Sequence, residues 1–123
     1  MSNIGIPIVA SQDTTRVIEY ALHGLDRRTE VIANNVANAE VPGFLGSRVD
    51  FEANLARAIS AGDLDDRPDL VVQGTGEQVG VNGNNVRLES ELTELMKTKL
   101  MQQAMINAYN FKVDVTRTAI GSR

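Results

Sequence analysis

Apolar positions in the first third of the chain recur at alternating spacings of four and three, through Ile18, Leu22, Leu25, Thr29, Ile32, Val36 and Ala39. This is the a/d seam of a coiled coil, and it predicts a helix over residues 15–40, after an N-terminal segment of residues 1–14. Only Thr29 is polar along the seam. Asp13, Thr14 and Thr15 are placed to cap the helix start, and Glu19 suits the positive end of its dipole. Gly24 weakens the middle by about 1 kcal/mol relative to Ala, so close approach of a neighbouring helix is expected there in preference to a bend.

A second helix is predicted over residues 85–120, where Leu88, Leu92, Met96, Leu100, Ala104, Ala108, Phe111, Val115 and Ala119 recur mostly every fourth position. Leu95, Met105 and Ile106 broaden that stripe. Glu89, Glu91 and Glu94 come early and Lys97, Lys99, Lys112 and Arg117 late, an order that complements the helix dipole. With no proline inside, such a helix reaches on the order of 50 Å at about 1.5 Å per residue. The two helices stand at opposite ends of the chain, so the expected fold is mainly α: one domain, 1–123, built on an antiparallel coiled coil. Its packing positions are Ile18, Leu22, Leu25, Ile32 and Val36 against Leu88, Leu92, Leu95, Met96, Leu100, Phe111 and Val115.

Residues 41–84 make the connection. Asp50 can cap a short helix in which Phe51, Leu55, Ala58 and Ile59 share a face, with Gly62 as its stop. From residue 62 onward Gly, Asp, Asn and Pro68 dominate, leaving only 70–72 and 78–81 as candidate strands. The segment is open to either a small β-hairpin or a loose loop.

The densest local signal is Ala33-Asn34-Asn35-Val36-Ala37-Asn38-Ala39-Glu40-Val41-Pro42-Gly43-Phe44. Asn34 and Asn38 lie one helical turn apart, which puts two amides on one face, and asparagine amides both donate and accept. Asn34, Asn35 and Asn38 are therefore expected to fix the register of packed helices in an assembly. Val41-Pro42-Gly43-Phe44 fits a type II turn, with proline second and glycine supplying positive φ at the third position.

Composition narrows the functions available. The chain has 123 residues, a formal net charge of −4, no Trp and no Cys. The mild acidity gives no reason to propose nucleic acid as a partner, and the lack of cysteine removes disulfide and thiolate chemistry. The apolar run at residues 4–10 has no basic flank, contains Gly5 and Pro7, and is far short of the roughly 20 residues of a membrane span. It is expected to be neither a signal peptide nor an anchor.

Candidate chemistry is sparse. His23 is the only histidine and has no accompanying ligands at metal spacing, so a hydrolase built around it ranks well behind a structural role. Asp63-Leu64-Asp65-Asp66 resembles the opening of a calcium loop, but Pro68 occupies its glycine position and Gly74 its bidentate acid position. Gly74-Thr75-Gly76 with Gly80 has the wrong spacing for a dinucleotide fingerprint. No catalytic, metal or cofactor residue is assigned, and no small-molecule substrate is expected.

The asparagine run and its Pro42-Gly43-Phe44 turn resemble the signature of the bacterial flagellar rod and hook family. Arg48-Val49-Asp50-Phe51, and Gly83-Asn84-Asn85-Val86 followed by Leu88 and Glu91, resemble its short proximal-rod members. The resemblance covers the first and last thirds of the chain. It implies a non-catalytic building block of the proximal rod, with Asn34, Asn35, Asn38, Pro42, Gly43 and Phe44 serving assembly. The partners it implies are copies of the chain, other rod proteins, the membrane-ring protein and rod adaptor at the base, and the flagellar export apparatus. It also implies a periplasmic rod location reached without a cleaved signal peptide. Another short rod protein of the same family, or an exported coiled-coil binding module that forms a closed oligomer, are the alternatives.

Overall fold

The computed structural model describes residues 6–62, 64 and 70–121, with side chains from Thr14 onward. Of the acidic run near residue 65, Asp63, Asp65 and Asp66 lie outside the described residues, as do Pro68 and the first part of the 4–10 apolar run.

The element order is α1 (Ile6–Ala37), β1 (Ser47–Val49), α2 (Phe51–Ala61), β2 (Val72–Gly74) and α3 (Leu88–Gly121). α1 begins nine residues before Thr15, so residues 13–15 are helical and do not cap a start. Pro7 does not prevent this, because in the first turn its missing N–H has no intrahelical partner to lose. α3 starts at Leu88 rather than at residue 85, because Asn84 and Asn85 spend their side chains on the loops described below.

α1 and α3 run antiparallel. Asn35 near the end of α1 bonds Glu91 in the first turn of α3, while Thr15 near the other end shares a hollow with Tyr109 and Ile120. Along α1, Ile18, Leu25 and Ile32 are buried and Leu22 and Val36 half-buried. Thr29 on the same seam donates its hydroxyl to the Leu25 carbonyl at 2.9 Å, so its polarity is met within the helix.

α2 and the two-stranded sheet close the core from one side. Ala21, Leu25, Val31, Val49 and Phe51 form a buried cluster, against which Leu70 and Met105 pack. Gly24 is what admits Phe51: a Cβ at that position would lie 2.4 Å from the Phe51 Cγ. Arg28 covers the ring from outside, its guanidinium 4.7 Å from the ring centre, and donates to the Val49 carbonyl and to a Glu52 carboxylate oxygen. Asp50 occupies the N-cap position of α2 without a side-chain cap bond. Gly62 ends the helix in the left-handed conformation, its N–H reaching the carbonyls of Ala58 and Ile59.

β1 and β2 pair antiparallel, with Ser47 opposite Gly74, Arg48 opposite Gln73 and Val49 opposite Val72. The middle segment is therefore an open hairpin, with its second strand at Val72–Gly74 rather than at 70–72. Residues 78–81 are not a strand. Gly83 N–H closes on the Gly80 carbonyl at 3.0 Å and folds residues 80–83 into a turn.

Candidate assembly surfaces

Two asparagine runs interlock where α1 ends. Asn38 N–H shares the Asn34 and Asn35 carbonyls, and the turn that follows is closed by Phe44 N–H on the Val41 carbonyl at 3.2 Å. Gly43 sits at φ +78°, the left-handed geometry that the Pro42-Gly43 pair predicts. Asn84 then caps the frayed end from outside, its Nδ2 donating to the carbonyls of Asn38 at 2.9 Å and Val41 at 2.7 Å. Its Oδ1 accepts from Val86 N–H at 2.7 Å. Asn84 thus serves the carbonyls of the turn that follows α1, while the Asn38 side chain serves the Asn34 carbonyl in its last turn.

Asn35 and Asn85 hold the strand that leaves this corner. Asn35 is completely buried and pairs with Ser47 like a neighbouring strand, its Oδ1 accepting from Ser47 N–H at 3.0 Å and its Nδ2 donating to the Ser47 carbonyl at 2.7 Å. The same Nδ2 reaches Glu91 Oε2 at 3.1 Å. Asn85 Oδ1 accepts from Gly46 N–H at 2.7 Å. Gly46 lies between the two amides; a Cβ there would stand 3.5 Å from the Asn85 oxygen and 3.6 Å from the Asn35 Cγ.

These amides therefore act largely inside the subunit. Asn35 fixes the register of α1 against α3 within one chain. Asn34 is exposed, Asn38 is half-buried, and Asn38 spends its amide on Asn34 one turn back. Phe44 is half-buried, and Pro42 and Gly43 are exposed. Asn84, Asn85 and Glu91 are the residues that sequence reasoning did not assign. The available signal was the second asparagine run, whose partners lie some forty residues upstream.

Burial raises the Glu91 carboxyl above its ordinary pKa; the Asn35 bond opposes this and the neighbouring Glu94 charge adds to it. Burial pushes Glu52 the same way. There, however, the Arg28 bond, a backbone bond and the Arg28 charge prevail and hold the carboxyl below its ordinary value.

The second feature is the outer face of α3. The least exposed residues of α3 are Glu91, Leu95, Thr98, Gln102, Met105, Lys112 and Val113, of which Thr98 is fully buried, with its hydroxyl on the Glu94 carbonyl at 2.7 Å. The large aliphatic stripe points elsewhere. Leu88, Leu92, Met96, Leu100, Phe111 and Val115 are all exposed, Met96, Leu100 and Phe111 by about 70%. They do not form the intramolecular seam expected of them, because a four-residue spacing drifts around the helix while the contact with α1 follows a four-three spacing. Within the subunit, α3 packs through a mixed set in which Leu95 and Met105 stand beside polar Glu91, Thr98 and Gln102.

His23 is exposed, and no group of three His, Cys, Asp or Glu among the described residues is placed to hold a metal ion. No helix of the described residues is long and apolar enough to cross a membrane.

Comparison with known proteins finds similarity to flagellar rod proteins. The profile of the family described as Flagella basal body rod protein matches residues 16–44, which take in most of α1 and the turn after it. The chain is 30% identical to the flagellar basal body rod protein FlgB of Bacillus subtilis strain 168, over 87% of this chain and 92% of that protein. It is 30% identical to FlgB of Borrelia hermsii, over 72% of this chain and 82% of that one. For FlgB of Borreliella burgdorferi the values are 28%, 81% and 93%.

Proposed function

The chain belongs to the flagellar basal body rod protein family, FlgB-like in type, and we propose that it assembles through the outer face of α3 into the proximal part of the rod. The role is structural and needs no catalysis. The observation that carries this reading is the exposure of Leu88, Leu92, Met96, Leu100, Phe111 and Val115, an apolar row that winds around the part of α3 left uncovered by α1. An apolar row of that length is larger than the scattered exposed aliphatics of an ordinary monomer and calls for neighbours. Copies related by a heterologous, non-closing contact extend into a tube.

The partners proposed are further copies of the chain, the other rod proteins, and the membrane-ring protein with its adaptor at the rod's base. The flagellar export apparatus is the proposed route to that position, outside the inner membrane. Family membership supports these assignments. The test is to purify basal bodies from cells that carry an epitope-tagged chain and from cells lacking the gene. Tagged chain in the rod fraction, and no rod in the deletion strain, is the expected result; complete rods without the chain overturn the proposal.

A further inference from the structure

The loop that joins the hairpin to α3 holds a chemically reactive pair. Asn82 is the only asparagine of the chain followed by glycine, and it is exposed on the turn over residues 80–83. Glycine has no Cβ to hinder the approach of its amide nitrogen to the preceding carboxamide, so such a pair can cyclise. In that reaction Gly83 N–H gives its proton to a solvent base and the nitrogen attacks Asn82 Cγ. The new N–Cγ bond closes a succinimide ring as the Cγ–Nδ2 bond breaks, and the amide group takes a proton from water and leaves as ammonia. Water then adds to one of the ring carbonyls. Reopening the N–Cγ bond gives aspartate. Opening the bond between the Gly83 nitrogen and the Asn82 main-chain carbon gives isoaspartate, whose main chain runs through the former side chain.

The fold holds every group that takes part. Gly83 N–H donates to the Gly80 carbonyl at 3.0 Å, and the Asn82 carbonyl accepts from Gly43 N–H at 2.9 Å, so the peptide between Asn82 and Gly83 is pinned on both sides. The Asn82 carboxamide is engaged as well, its Oδ1 accepting from Asn84 N–H at 3.1 Å. Cyclisation must strip the Gly83 proton and bring Cγ onto the nitrogen, which breaks the first and last of these bonds, while the Gly43 bond resists rotation of the peptide. Water already reaches Asn82, so conformation and not access is the restraint.

The restraint comes from outside the loop. Gly43 belongs to the turn after α1, and Gly83 lies so close to it that a Cβ there would stand 3.3 Å from the Gly43 Cα. Asn84 binds the same region through the Asn38 and Val41 carbonyls. We propose that Asn82 is a site of spontaneous deamidation that the fold silences and that opens whenever the Gly43 and Gly83 turns part. Isoaspartate at this position lengthens the main chain, so the Gly80–Gly83 turn no longer closes in its native geometry. The modification therefore marks chains that have spent time unfolded. Nothing in it depends on assembly with other copies.

The test uses full-length wild-type chain and Asn82→Gln, each incubated at mildly alkaline pH, folded in buffer and unfolded in guanidinium chloride. Mass spectrometry of the peptides that span residue 82 reads the conversion, and an isoaspartyl methyltransferase scores isoaspartate. The unfolded wild-type chain is expected to convert at least about tenfold faster than the folded one, because the bonds around Asn82 must open first. In Asn82→Gln the conversion is expected to vanish, since the longer side chain must close a larger ring. Equal rates in the folded and unfolded chains overturn the silencing, and no conversion in guanidinium chloride overturns the site. A signal that persists in Asn82→Gln belongs to another residue and overturns it too. Asn84→Ala keeps the backbone donor to Asn82 but frees the loop from the Asn38 and Val41 carbonyls, and should raise the folded-state rate severalfold; an unchanged rate in a folded Asn84→Ala overturns the dependence on the two turns.

Discussion

Asn35 donates to the Glu91 carboxylate at 3.1 Å across 56 positions of sequence, joining the last turn of α1 to the first turn of α3. With its paired bonds to Ser47, the same side chain fixes three elements at once: both long helices and the strand that leaves the asparagine corner. A motif that reads as an intermolecular signature is, at its central residue, the keystone of the subunit.

The members of that motif should therefore separate on mutation. Asn35→Ala leaves the Ser47 N–H and carbonyl without their partner, at about 1–3 kcal/mol for each buried group left unpaired. Asn38→Ala removes only bonds to Asn34 and should change stability by less than about 0.5 kcal/mol. Urea unfolding of the two single variants checks this; equal midpoints would remove Asn35 from its structural role.

Gly24→Ala should destabilise the chain by about 1–3 kcal/mol despite alanine's better helix propensity, because its methyl group is forced into the Phe51 ring. Combining it with Phe51→Leu should recover part of the loss. A thermal melt of Gly24→Ala at or above the wild-type midpoint would mean that α2 moves aside freely.

Leu92→Asp and Leu100→Asp should leave the isolated fold nearly untouched, within about 0.5 kcal/mol, since both side chains are exposed in the single chain. Assembly should fail, because an unpaired charge is costly to bury between subunits. Circular dichroism of the purified variants beside their recovery in basal bodies distinguishes the two effects; normal recovery would mean that the stripe faces water in the rod.

Glu52 and Glu91 should give opposite pH signatures. The folded pKa of Glu52 lies below its unfolded value, so its stabilisation is present above the unfolded value and is lost as pH falls through the folded one. For Glu91 the folded value is the higher, so stability declines as pH rises through the interval between the two. Glu52→Gln should therefore weaken the fold at neutral pH and flatten its acid dependence. Glu91→Gln keeps an acceptor for Asn35 and should strengthen the fold at neutral pH. Denaturant titrations from pH 3 to 8 check both signs.

Much of the architecture is legible in the chain. The four-three spacing through Ile18, Leu25 and Ile32 marks the buried side of α1, Gly62 marks the end of α2, and Pro42-Gly43 marks the turn. The face of α3 is not legible, because its least exposed side chains include Glu91, Thr98 and Gln102 while the large aliphatics recur elsewhere. Hydrophobic periodicity reports every apolar surface a helix will bury, including those buried only against neighbours, and it cannot assign them in advance. The asparagine network is hidden for a different reason. An amide's partner is set by three-dimensional closure, and Asn84 finds the Asn38 and Val41 carbonyls only once α1 and α3 are paired.

The spacing of the outer residues on α3 also has a geometric consequence. Leu88, Leu92, Met96 and Leu100, each four positions from the last, form a ridge inclined by about 26° to the helix axis. A neighbouring helix that accepts this ridge in its grooves must cross at an angle, about 20° in one packing class and about 50° in the opposite sense in another. Subunits joined this way are braced obliquely, like the diagonals of a lattice tower, and a twisting load applied along the tube is resolved into compression and tension along the helices.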